Sequence, residues 1–172
     1  AEVTPTERSA LFRFTFPESD SSAVVIDAYP GGSMVELVPD RNRVIGYCRN
    51  NHGGVPDNFH NWFVIDFDRE LDFFSSWVDG TLTAGSTVGE GGHAVAVAGF
   101  RTQRGDTVTA RVASSFISPE QAIINLERET GGRNFNEVCN AARERWNSEL
   151  GRIKVEGGDD DMIRTFYSAL YR

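Results

Sequence analysis

One segment of the sequence combines the side-chain types that bind sugars. Between Asn50 and Trp62, aromatic rings stand beside amide and imidazole groups, and the segment contains His52, His60 and Trp62. The face of an aromatic ring accepts C–H contacts from a sugar, and amide and imidazole groups hydrogen-bond its hydroxyls. We therefore take His52, His60 and Trp62 as candidate substrate-binding residues. The alternative is a long loop that leads into a strand with Trp62 in the core, where large aromatic residues usually lie.

The acidic residues provide no convincing catalytic pair. Asp66 and Asp68 alternate along one predicted strand, and we expect them to be edge or solvent-facing carboxylates, which are far commoner than buried ones. Asp159, Asp160 and Asp161 are consecutive, so their side chains cannot all point at one ion, and the spacing of an EF-type calcium loop is absent. We expect these three to cap a helix, and we predict no catalytic residue in this chain.

Metal, phosphate and disulfide chemistry are not favoured either. The histidines at 52, 60 and 93 have no partner at metal-binding spacing, so we predict no metal site in this chain. The glycine-rich run 89–93 enters a predicted strand rather than a helix, which favours a hairpin loop over a phosphate-binding loop. Cys48 and Cys139 lie far apart in the sequence. Two buried reduced thiols are favoured, with a disulfide as the alternative.

The elements that must position these residues are mostly strands. Residues 10–17 alternate apolar and polar side chains around Phe12, Phe14 and Phe16, which is the period of a half-buried strand. Residues 18–22 indicate a polar turn. Further strand-like runs cover 23–28, 34–38, 43–48, 58–68, 71–78, 94–100 and 107–116. About eight or nine short strands separated by turns predict an antiparallel sheet or sandwich.

Three helix signatures follow the strands. Ser118 and Gln121 form a capping box with Pro119 at the first helical position, and a second box starts at Asn134. The second helix carries an apolar stripe that we expect to pack on the sheet: Phe135, Val138, Ala142, Trp146, Leu150 and Ile153. The third begins at the aspartates near 159, where the helix dipole favours negative charge. It runs on to Arg172 without a stop signal, so we expect the chain to be a piece of a longer protein.

Composition excludes two classes of partner. The chain has 172 residues and a formal net charge of −8, whereas binding to a phosphate backbone needs a basic face. No apolar run approaches the roughly 20 residues of a membrane helix. We therefore expect neither nucleic acid nor a membrane span.

The pattern of the chain resembles the N-terminal β-sandwich domain of glycoside hydrolase family 92, the calcium-dependent exo-acting α-mannosidases found mainly in bacteria. An early strand is similar at residues 2–4, at Thr6 and Arg8, and at residues 12–14 and 16–17. The longer C-terminal match comprises residues 115–118, 125–126, 146–147, 150–153, 155–157 and 165–171, with Glu120, Ala122, Glu129, Phe135 and Ala142.

The resemblance implies a mainly β fold, an antiparallel β-supersandwich of the galactose mutarotase-like kind, followed by an (α/α)6 barrel. Residues 1–117 would form the sandwich with its first part missing, residues 118–157 helices beside it, and residues 158–172 the start of a linker. The barrel would supply the acid, the base and most of the calcium ligands, so this chain alone is expected to be inactive. The implied substrates are mannose-containing glycans such as those on N-linked chains, and the implied location is periplasmic or extracellular.

Two other functions stay open at this point. A stand-alone carbohydrate-binding sandwich would show an exposed aromatic platform and sugar affinity without hydrolysis. A structural or interaction domain would instead present an exposed apolar patch as a protein interface.

Overall fold

The computed structural model describes every residue from Ala1 to Arg172. Eleven strands form two antiparallel sheets, with the orders β1-β2-β11-β6-β5-β4-β9 and β3-β10-β7-β8. This mainly β sandwich confirms the predicted fold class. The strands are β1 (Glu2–Pro5), β2 (Ser9–Thr15), β3 (Ser19–Asp27), β4 (Ser33–Val38), β5 (Arg43–Cys48), β6 (Asn61–Phe67), β7 (Phe73–Val78), β8 (Thr81–Ala84), β9 (Val88–Gly91), β10 (Ala94–Thr102) and β11 (Thr107–Ser115).

The main core lies between the two sheets. Alternate residues of each strand point inward, as the pleat requires, and Val35, Phe100 and Val108 are fully buried there. The alternating phenylalanines of β2 pack against the same cluster. Each of the two sheets thus contributes its inner face to a common core.

Some strands differ from the sequence prediction. Residues 18–22 were expected to turn, but β3 begins at Ser19, and the buried Ser22 hydroxyl lies 2.7 Å from the Thr102 hydroxyl of β10. The strands β1, β8 and β9 were not predicted. Part of the expected glycine-rich loop is β9, whose Gly89 passes so close to β7 that a Cβ there would meet Val78 at 2.8 Å. Glycine at this position therefore allows the close approach of an edge strand.

Helices α1 (Pro119–Thr130) and α2 (Phe135–Leu150) lie on the outer face of the larger sheet, and α3 (Asp160–Tyr171) follows. The Ser118 hydroxyl accepts a hydrogen bond from the Gln121 N–H at 3.1 Å, and Asn134 begins a complete capping box, as predicted. Leu126 of α1 is buried against Val64 and Ala113 of the sheet. This second layer of core fixes α1 on the sheet.

The apolar stripe of α2 packs on the sheet only through its first turns, which corrects the sequence expectation. Phe135 and Val138 are buried against Leu11, but Trp146 is 44% exposed and Ile153, beyond the helix, is 48% exposed. The Trp146 ring contacts Tyr171 of α3 instead, with 4.8 Å between ring centroids. The physical reason is that α2 packs mainly on β1 and β2 at the edge of the sheet, so its later turns extend past the sheet. No residue of α3 is buried.

Candidate functional site

A row of side chains crosses five strands on the outer face of the larger sheet. Ser115 pairs with Trp62, Trp62 with Tyr47, Tyr47 with Met34, and Met34 with Glu90. Side chains opposite one another in neighbouring strands share a face. The face is the outer one because Val64, two residues beyond Trp62, packs under α1. We call Ser115, Trp62, Tyr47, Met34 and Glu90 the aromatic row.

Three rings form the centre of this surface. The His60 and Trp62 rings are stacked at 5.2 Å between centroids with 22° between their planes, and the Tyr47 ring stands edge-on to both at 4.5 and 5.0 Å. His60 Nδ1 lies 2.7 Å from the Asn58 carbonyl oxygen. A carbonyl only accepts, so Nδ1 carries the proton and donates. In the neutral imidazole, Nε2 is then an acceptor.

Glu90 supplies the polar end of the aromatic row. The Tyr47 hydroxyl donates to its carboxylate at 2.6 Å. Partial burial raises the pKa of Tyr47, and the hydrogen bond to Glu90 raises it further. The phenol therefore stays protonated at neutral pH and holds the exposed carboxylate against the sheet. One carboxylate oxygen of Glu90 has no side-chain partner within the chain and can accept from a ligand.

The aromatic row is the first row of the sheet that α1 leaves uncovered. The next row toward α1 contains Val64, Ala113 and Ile45, which pack against that helix. At the other border, the ring of Phe59 packs on Phe116 at 5.7 Å, and Phe116 is 72% exposed. Trp62, Tyr47 and His60 are each partly exposed, so the aromatic row is partly accessible to solvent.

The structure brings together two of the three predicted site residues. His60 and Trp62 are in contact, whereas His52 is exposed in the preceding loop with no hydrogen bond or ring contact to either. The loop is held by local bonds, in which Gly53 N–H donates to Asn51 Oδ1 at 2.7 Å and Arg49 donates to the Asp57 carbonyl at 2.6 Å. Trp62 is half-buried on the outer face and lies outside the sandwich core.

Tyr47 and Glu90 were missed because they come from two other strands. Nothing in a single strand reveals its neighbour: Tyr47 meets Trp62, and Glu90 meets Tyr47, only through the pairing of different strands. The available signal was the alternation of β5, which puts Tyr47 on the same face as Ile45.

Asp66 corrects a sequence expectation, because it is buried rather than solvent-facing. Its two carboxylate oxygens accept from Arg43 Nε at 2.6 Å and Nη2 at 2.8 Å, and this ion pair raises the pKa of Arg43. A buried charge requires such a partner. Asp68 is exposed as expected, and it accepts from the Thr109 N–H at 2.8 Å.

The remaining candidate ligands are dispersed. Asp159 caps α3 by accepting from the Met162 N–H at 2.8 Å, as expected for this acidic run. Cys48 and Cys139 are free, half-buried thiols. The structure brings no three His, Cys, Asp or Glu side chains together in a group that could hold a metal ion. No helix has the length and apolar character needed to cross a membrane.

Comparisons with known proteins divide the chain in two. Residues 1–115 match the model of the glycosyl hydrolase family 92 N-terminal domain, and residues 121–172 match that of the glycosyl hydrolase family 92 catalytic domain. The boundary between the two models coincides with the start of α1. The three helices thus fall in the part matched by the catalytic-domain model.

Solved structures of mannosidases in this family resemble the whole chain. A family GH92 inverting mannosidase from Bacteroides thetaiotaomicron is 42% identical and superposes with a TM-score of 0.94, covering 98% of this chain and 23% of that one. A GH92 alpha-mannosidase from the same organism is 27% identical with a TM-score of 0.87, covering 98% and 24%. An uncharacterized secreted glycosidase from Arthroderma benhamiae is 30% identical over all of this chain and 26% of its own length. The chain thus spans about a quarter of the length of these relatives.

Proposed function

Because the chain belongs to glycoside hydrolase family 92, we propose that it is part of an inverting, calcium-dependent exo-α-mannosidase acting on α-mannosides such as the mannose of N-glycans. The observation that carries the proposal is the likeness to an inverting mannosidase, with 42% identity and a TM-score of 0.94 over 98% of the chain. Identity at this level over a whole sandwich and its helices goes beyond shared fold, which alone would not imply function.

Within this proposal the sandwich, residues 1–117, shapes one wall of the active-site groove. The helices of residues 118–157 pack beside it, and residues 158–172 begin the connection to the (α/α)6 barrel, which makes up the rest of the catalytic part. That domain supplies the acid and the base. Inverting hydrolysis needs two carboxyl groups about 6.5–9.5 Å apart with a water between them. In this chain the buried carboxylate Asp66 is already bound by Arg43, which suits a structural role.

The calcium of the proposal is assigned to the same domain. Calcium takes six to eight oxygen ligands, whereas the acidic run at the start of α3 uses Asp159 as a cap and Asp161 as the partner of Arg164. These residues do not fit a calcium site. We therefore assign no step of the reaction to a metal bound by this chain.

The proposed location is periplasmic or extracellular. It is supported by the likeness to a glycosidase described as secreted.

An activity assay tests the proposed function. The full polypeptide encoded by the gene and the 172-residue chain would be purified and incubated with an aryl α-mannoside, with EDTA or with added calcium. We expect turnover by the full polypeptide only, abolished by EDTA and restored by calcium. Turnover by the 172-residue chain, or turnover by the full polypeptide that EDTA leaves unchanged, would contradict the proposal.

One observation favours a second candidate, a carbohydrate-binding module. The aromatic row is a partly exposed group of rings with hydrogen-bond acceptors beside it. If the full polypeptide bound glycans and hydrolysed none, this second function would replace the first.

A further inference from the structure

We propose that the aromatic row binds an α-linked mannose oligosaccharide through sugar units other than the one that is cleaved. The inference rests on the proposed function for the identity of the sugar. The contacting groups are the rings of Trp62 and Tyr47, the imidazole of His60 and the carboxylate of Glu90.

The aromatic row is rigid and long enough for an extended ligand. Its members lie on five neighbouring strands that are paired in register. With strands about 4.8 Å apart, the four positions from Trp62 to Glu90 span roughly 14 Å, which exceeds a single sugar ring. Because Trp62, Tyr47 and Glu90 stand on strands rather than on a loop, their spacing is fixed before a ligand arrives, and less ordering is needed on binding.

The chemistry of the aromatic row suits a neutral polyol. The rings of Tyr47 and Trp62 offer apolar contact for sugar C–H groups. The second oxygen of Glu90 beside them is an acceptor that suits hydroxyl donors. The Tyr47 hydroxyl already donates to Glu90, so the carboxylate is oriented and not left to solvent alone.

A protein partner suits the neighbouring surface better than the aromatic row. Phe116 and Ile117 are 72% and 78% exposed and carry no polar groups on their side chains, as is typical of the apolar centre of an interface. The aromatic row instead places a carboxylate beside its rings, and the imidazole of His60 stacks on one of them. This mixture of apolar faces and acceptors favours sugar over protein as the occupant.

Substrate preference tests the site. The full polypeptide would be assayed on a high-mannose N-glycan and on an aryl α-mannoside, which lacks further sugar units. We expect Trp62→Ala to lower the ratio of kcat/KM for the glycan to kcat/KM for the aryl mannoside about fivefold, mainly through KM, since it removes one ring contact. Glu90→Gln should lower the same ratio about threefold, because a charged acceptor is stronger than a neutral one.

Trp77→Ala is the matched control. Trp77 also packs against a histidine, His93, with 5.0 Å between ring centroids, but it belongs to the smaller sheet. We expect the ratio of kcat/KM for the glycan to kcat/KM for the aryl mannoside to be the same in Trp77→Ala as in the wild type. If Trp62→Ala fails to fold, as judged by its thermal unfolding, Trp62→Leu and Glu90→Gln carry the test, since leucine also removes the ring. A ratio that stays at the wild-type value in the folded variants would overturn the inference.

A separate titration distinguishes failure of this inference from failure of the proposed function. If the full polypeptide hydrolyses neither substrate, the proposed mannosidase is wrong. Tryptophan fluorescence of the 172-residue chain, titrated with the same N-glycan, then decides about the site. A saturable signal whose apparent Kd rises in Glu90→Gln and stays the same in Trp77→Ala would support glycan binding by the aromatic row. No saturation, or the same apparent Kd in Glu90→Gln as in the wild type, would overturn it.

Discussion

Asp66→Asn removes the negative charge from a buried ion pair on the helix-facing side of the larger sheet. Arg43, Asp66 and Arg111 lie opposite one another on β5, β6 and β11. Asp66 binds Arg43 through two short bonds, and its second oxygen is 3.8 Å from Arg111 Nη2. The substitution preserves side-chain volume, so its effect reports charge and hydrogen bonding rather than a cavity.

The expected loss of unfolding free energy is about 3 kcal/mol. Removing one partner of a buried pair costs roughly 3–5 kcal/mol because the other charge stays buried without compensation. The Arg43 and Asp66 side chains are only 10% and 8% exposed, which places this pair in that class. Asparagine keeps one carbonyl acceptor for the guanidinium, so we take the lower end. Two arginines would then face each other with no carboxylate between them.

Urea unfolding of the 172-residue chain measures this loss. Asp161→Asn is the matched control, because Asp161 pairs with Arg164 at 3.3 Å while its side chain is 90% exposed. Exposed pairs contribute at most about 1 kcal/mol. A second variant, Asp66→Leu with Arg43→Met, should recover much of the loss, since apolar replacement of a whole buried pair is often neutral. An Asp66→Asn variant as stable as Asp161→Asn would refute the reasoning.

Three further predictions concern the helices. Leu126→Ala should lower the unfolding free energy by about 3 kcal/mol, because Leu126 is fully buried. Ile124→Ala, on the exposed side of α1, should lower it by under about 0.5 kcal/mol. Equal losses in urea unfolding would contradict the packing of Leu126 between α1 and the sheet. Burial works to raise the pKa of Glu129, but hydrogen bonds from Thr6 and Arg8 outweigh it and lower the pKa below 4.5. The hydrogen bonds to the Glu129 carboxylate therefore stabilise the fold fully above the pKa of the unfolded state, and this contribution is lost as pH falls through the pKa of the folded state. The unfolding free energy, measured from about pH 6 to about pH 3, should fall less steeply in Glu129→Gln than in the wild type. Identical slopes would refute the pKa shift. Amides of α3 should exchange hydrogen faster than those of β10, because no α3 residue is buried; equal protection in a monomeric sample would show that α3 needs no further partner.

The fold class was predictable because its signals are local. The alternation of Phe12, Phe14 and Phe16 and the caps at Ser118 and Asn134 each lie within a few residues. The missed elements lack such signals. Residues 19–22 are polar and indicate a turn, although strand pairing with β10 makes them part of β3. The short strand β8 is exposed throughout and has no apolar alternation.

The candidate site was only partly predictable because its members meet through strand register. His60 and Trp62 stand two residues apart, and their contact follows from the period of one strand. Glu90 joins them from a strand 28 residues later, through pairing that no local pattern specifies. The buried state of Asp66 was missed for the same reason, since its partner Arg43 is 23 residues away in the sequence.

The stereochemistry of the first product tests the central claim most directly. Proton NMR can follow the full polypeptide as it hydrolyses an aryl α-mannoside, faster than the released mannose mutarotates. Inverting hydrolysis, in which a water attacks from the face opposite the leaving group, predicts that β-mannose appears first. Initial release of α-mannose, or the absence of any mannose in the presence of calcium, would contradict the assignment of this chain to an inverting α-mannosidase.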